Sequence, residues 1–185
     1  MPGFNKQSAA ERLAAIDFAP SNRRFLDYWL SYHTDDGHLR LSTLSAEEIA
    51  AATHAAVTAE VKPGRSVIVK EVGAGVAGIL SYNLVGADMI EMLPAHLRPM
   101  RLERTAEIAR GVIAHNTQRV ITETREFEWE EVIVPFGPLS PNGTRRIMTH
   151  IDLEAFAKLP RKIGERVIRP AELYRPIPLY FHEGT

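Results

Sequence analysis

The chain has 185 residues, 45% of them hydrophobic and 24% charged, with 22 Lys and Arg against 23 Asp and Glu. That length and average composition fit one globular domain with extensions, and the net charge of -1 offers no basic field for nucleic acid or acidic lipid. The absence of cysteine excludes disulfides, thiolate nucleophiles and Cys-based zinc or iron–sulfur centres.

The opening stretch MPGFNKQSAAERLAA lacks the uninterrupted apolar core of a secretory signal. No apolar run approaches the ~20 residues needed to span a bilayer, so a soluble, cytoplasmic protein is expected. Residues 8–18 are predicted to form a short helix, with Ser8 as N-cap and Glu11 completing a capping box. Pro20 is expected to stop it, and Ser21 to start a second helix. In that helix Phe25, Tyr28, Trp29 and Tyr32 recur at helical spacing. So many large aromatics need a partner surface. That surface is either the domain's own core or a second copy of the chain, which makes these four residues the candidate dimer interface. Residues 34–37, TDDG, read as a loop.

Ser45 with Glu48 forms another capping box, opening the helix AEEIAAATHAA. An alternating segment over 57–61, a Pro63–Gly64 turn and VIVKEV then read as an antiparallel hairpin. Gly64 is expected to take positive φ in a type II turn. Residues 74–117 read as helical, broken at Gly86, Pro94 and Pro99, with Leu102, Thr105, Ala109, Val112 and Ile113 along one face. Residues 119–153 carry the strongest strand signal: VITETREFEWEEVIVPFGPL, a Pro- and Gly-rich loop, then RRIMTHIDL. In the last of these Ile147, Thr149, Ile151 and Leu153 share one side. The tail RPAELYRPIPLYFHEGT, with three prolines, is expected to be irregular and unable to form a central strand.

Gly73, Gly75 and Gly78 make a formal G-x-G-x-x-G match, the pattern that lets a backbone approach a pyrophosphate. The context argues against a dinucleotide site. No second parallel strand with an acidic end follows the helix, and the late strands look hairpin-connected, which implies an antiparallel sheet. The seven histidines, His33, His38, His54, His96, His115, His150 and His182, show no metal-ligand spacing. His115, placed near the end of the long helix, could face an internal pocket. The carboxylates Glu126, Glu128, Glu130 and Glu131 suggest a catalytic pair, but alternation with Phe127 and Trp129 reads as a half-exposed strand.

Two strands, a run of short helices, one long helix and three strands, with FLDYWLSYHTDDG ahead and VKEVGAGVAGILSYNLVGADMIEML in the middle, resemble a PAS domain. The similarity covers residues 24–152 and looks closest to the stand-alone PAS proteins common in alphaproteobacteria. The resemblance implies an α+β fold: a five-stranded antiparallel sheet with helices on one face. An N-terminal helical extension (1–44), the PAS-like body (45–153) and a C-terminal extension (154–185) would make up the chain. It implies a non-catalytic signalling module whose ligand lies between sheet and helices. Tyr82, Met89, Met92, Val112, His115, Ile133, Ile147, Thr149 and Ile151 are expected near that ligand. The expected partners are a second copy of the chain, a signalling protein and a small molecule, with no nucleic acid, membrane or metal; the cofactor is open. A nucleotide-dependent enzyme using the GAGVAG loop and a purely structural adaptor are the competing readings.

Overall fold

A computed structural model describes residues 3–4, 6–32, 45–80, 82–121, 125–137, 139–159, 169–178 and 180–181. The TDDG loop expected at 34–37 lies outside the described residues. The alternating segments form strands β2 (Ala56–Lys62) and β3 (Ser66–Val72), joined as a hairpin. Arg65 N–H donates to Lys62 O at 3.0 Å, and Gly64 takes φ +68, as the Pro–Gly turn requires. Strands β4 (Val112–Ile121), β5 (Glu126–Phe136), β6 (Arg145–Ile151) and β7 (Arg169–Pro178) complete one antiparallel sheet, ordered β3-β2-β6-β5-β4-β7. A small separate ribbon pairs β1 (Gly3–Phe4) with β8 (Tyr180–Phe181). The protein is therefore α+β, built on an open six-stranded antiparallel sheet.

The sixth strand corrects the expectation of an irregular tail. β7 pairs with β4 along its whole length, from Ile121↔Arg169 to Val112↔Pro178. Pro170, Pro176 and Pro178 all fall on one parity of that register. Their missing N–H groups can thus lie on the outer side of an edge strand, where no ladder bond is needed.

The helical reading of 74–117 is also corrected. Helix α4 spans Ala74–Ile79 and α5 spans Arg98–Ala109. Gly111, at φ +114, then turns the chain into β4. Residues 112–117 are strand because Val112, Ile113 and Thr117 are β-branched and pack well on a pleated surface.

At the N-terminus, α1 spans Lys6–Ala14 and α2 spans Pro20–Ser31. Ser8 lies inside α1 rather than capping it, and Pro20 occupies the first turn of α2, where its absent N–H costs nothing. Helix α3 (Ala46–His54) begins with the expected capping box: Glu48 N–H donates to Ser45 Oγ, and Ser45 N–H donates to Glu48 Oε2. A short α6 (Leu153–Phe156) follows β6.

Alternation along the strands gives the sheet two apolar faces, and helices cover both. Helix α5 packs on the face carrying Ala59, Ile133 and Ile147. Helices α1 and α2 cover the opposite face, where Leu13, Phe25, Leu26 and Trp29 meet Ile113, Val132, Val134 and Met148. Trp29 Nε1–H donates to Pro135 O at 3.3 Å, where β5 runs past the start of β4. No helix among the described residues is long and apolar enough to cross a membrane.

Candidate functional site

Between the α5-covered sheet face and the 74–110 segment lies a cavity of about 290 Å³. Its floor is sheet: Val57 and Ala59 of β2, Ile133 of β5, and Ile147, Thr149 and Ile151 of β6. The period-2 alternation of each strand sends these side chains to the same face. Val76 and Leu80 of the α4 region and Leu84, Ile90 and Leu93 beyond it form the cover.

Tyr82, Met89 and Met92 line the cavity and are also exposed, by 56%, 38% and 51%. They therefore form its open rim. The base of that rim is anchored by backbone and by Asp88. Asp88 Oδ1 accepts from Val67 N–H at 3.1 Å and Ile90 N–H at 2.9 Å, and Met89 N–H donates to Val67 O at 2.9 Å.

One wall is polar. Glu131 Oε1 accepts from Asn116 Nδ2 and from Gln118 Nε2, each at 2.9 Å. Asn116 and Glu131 face each other across β4 and β5, and Gln118 pairs with Trp129. Trp129 and Phe156 stand edge to face, 5.5 Å between centroids, and both line the cavity beside Glu131. Arg101 and Thr105 of α5 also line it. The Thr105 hydroxyl is turned back on its helix, within reach of Arg101 O at 2.9 Å and Leu102 O at 3.1 Å.

Seven of the nine residues expected near a ligand therefore converge on one cavity: Tyr82, Met89, Met92, Ile133, Ile147, Thr149 and Ile151. Val112 and His115 do not. The helical period read over 74–117 covers both, whereas Val112 opens strand β4, outside the cavity wall, and the strand's alternation turns His115 to the opposite face. Gln118, Trp129, Glu131, Arg101 and Phe156 were missed. For Trp129 and Glu131 the signal was available, since they share parity with Ile133 on one strand.

On the opposite face His115 enters a buried polar chain. His115 Nε2–H donates to Glu130 Oε2 at 2.9 Å. Glu130 Oε1 also accepts from Ala19 N–H at 2.9 Å and Asn22 Nδ2 at 2.8 Å. Asn22 Oδ1 is then left to accept from His150 Nδ1–H at 2.7 Å. Phe18 packs on the His115 ring, and Phe25 stacks on His150 at 4.5 Å. Burial works to raise the Glu130 carboxyl, but the hydrogen bonds from His115, Asn22 and Ala19 prevail and hold it below the usual range. Burial, with Arg24 nearby, pushes His150 down to about 4. Glu130 is thus not part of the solvated face read from the strand's alternation; it ties α2 to the sheet.

The other expected features are placed as follows. Phe25 and Trp29 are 5% and 2% exposed and pack against the chain's own sheet. Tyr28 and Tyr32 are half-buried, and Tyr32 O–H donates to Glu48 Oε1 at 2.8 Å. A second, more open groove of about 530 Å³ runs between α2, α3 and α6, past Arg24, Tyr28, His150 and Asp152.

In the GAGVAG segment, a Cβ on Gly73 would lie 1.9 Å from Thr53 O, and one on Gly75 would lie 2.4 Å from Leu153 Cδ1. These glycines let protein approach protein, and Gly78 has nothing within 4 Å. Among the described residues no group of three or more histidines or carboxylates is placed to hold a metal ion. No protein-family model matches the chain, and no curated protein matches it in sequence.

Proposed function

We propose that this chain is a PAS-like signalling module that binds a small organic ligand between its sheet and its α4–α5 cover. The observation that carries the reading is the apolar cavity of about 290 Å³, near the low end of the ~300–1,000 Å³ range of ligand sites. Its mixture of apolar walls and a few convergent polar groups is what orients a small molecule. The strand arrangement supports the PAS resemblance. β2 to β6 are contiguous in the sheet, with helices inserted between β3 and β4, and β7 is an addition at the edge. A cavity lined by apolar side chains with a few polar groups favours a ligand site over a structural adaptor, and the protein-filled surroundings of Gly73 and Gly75 weigh against a nucleotide enzyme. Ligand binding would bias the rim and cover, and a protein partner would read that change.

A thermal-shift survey of small amphipathic compounds, run on the wild type and on Ile147→Trp, tests this. The indole fills the cavity floor. A ligand at 100 times its Kd adds about 2.7 kcal/mol, which is roughly 5–10 °C for a domain of this size. The expected result is a shift in the wild type that is lost in Ile147→Trp. Equal shifts in both proteins, or none in either, would contradict the proposal.

A further inference from the structure

Resting on the cavity reading above, we infer that the ligand is an amine: a small apolar or aromatic body carrying a cationic hydrogen-bond donor that seats on Glu131. Three observations carry this. First, Glu131 lines the cavity, and the two hydrogen bonds it takes from described residues both end on Oε1. A carboxylate has about four acceptor positions, so Oε2 keeps capacity for a donor. Second, both of those donors are neutral amides, from Asn116 and Gln118, which fix the carboxylate's orientation without adding a positive charge. Third, the neighbouring walls are aromatic. Trp129 and Phe156 line the same cavity, and Tyr82 stands at its rim. Ring faces attract a cation most strongly when it is out of water.

Arg101 is the other charged side chain among the described residues of the wall, and it argues for the competing class, a carboxylate ligand. It already has a partner within the protein. Glu131 instead sits at the aromatic end, where a ligand's body and its charge can be held together.

The test compares 2-phenylethylamine, neutral propylbenzene and anionic 3-phenylpropanoate as matched probes, titrated by calorimetry into the full chain and into Glu131→Gln. A charge-assisted hydrogen bond in a partly dry site is expected to make the amine bind at least about tenfold tighter than propylbenzene. Glu131→Gln should erase that advantage while propylbenzene still binds, which also shows that the cavity is intact. If the three probes bind alike, or the carboxylate binds best, the amine assignment is overturned while the cavity reading stands. If none binds, both fall. Should the variant fail to fold, the order of the three probes on the wild type still decides.

Discussion

Asn22 sits between two groups whose charge states respond to acid in different windows. His150 is neutral when folded, with its pKa lowered from 6.5 to about 4 by burial and Arg24. The unfolded chain therefore binds more protons between those values. Stability is complete above about pH 6.5 and falls as pH drops toward 4, by up to about 3 kcal/mol. Glu130 behaves as a hydrogen-bonded carboxylate. Its folded pKa is lowered, so its contribution holds above the ordinary carboxylate value and is lost only as pH falls through the lower folded value. Urea unfolding between pH 7 and 5 isolates His150. The wild type should weaken across that interval, and His150→Gln, which cannot be charged, should be flat. Equal slopes would place the loss elsewhere. Arg145 is a second residue-scale case. It is 5% exposed, and its guanidinium donates to Gly137 O at 2.8 Å and to Ala109 O at 3.3 Å, at the end of α5. Arg145→Met is expected to cost about 2–3 kcal/mol, because one buried and one half-buried carbonyl lose their donor. A denaturation midpoint unchanged from wild type would show that water replaces it.

At the scale of elements, the alternation of RRIMTHIDL and of the segment around Ile133 was enough to place Ile133, Ile147, Thr149 and Ile151 on one wall. Side-chain period alone decides that, so it is legible without tertiary knowledge. The end of α5 was not legible. Leu102, Thr105, Ala109, Val112 and Ile113 satisfy a helical period, and only the positive φ of Gly111 marks where the helix stops. Strand β7 was hidden by its prolines, which are compatible with an edge strand in one parity only. It also gives side chains of α5 their partners. Tyr174 O–H donates to Glu107 Oε2 at 3.0 Å, and Arg104 lies 4.3 Å over the Tyr174 ring. Ile177 is 5% exposed, packed with Ile113 and Val134 beneath α1 and α2. Ile177→Ala should therefore cost about 2–4 kcal/mol in chemical denaturation, as for a core aliphatic. An effect within ~0.5 kcal/mol is what a surface tail would give, and would remove β7 from the core.

For the whole molecule, the antiparallel α+β character was readable because hairpin-connected strands and a lone glycine fingerprint cannot build a parallel nucleotide fold. What could not be read was that the sheet is covered twice. The N-terminal aromatic helix is the second cover, and this bears on self-association. Trp29→Ala should lower stability by about 3–5 kcal/mol, leaving the sedimentation coefficient of the folded protein unchanged. Dissociation of a dimer without loss of stability would restore α2 as an interface. Helices α1 and α2 cover one face of the sheet, and the cavity proposed to hold the ligand lies on the other, beneath α4 and α5. Methyl NMR during titration with propylbenzene tests that site most directly. Shifts are expected at the isoleucine methyls of Ile133, Ile147 and Ile151, with Ile113 and Ile177 on the other face unmoved. Shifts at Ile113 and Ile177 instead, or none at all, would contradict it.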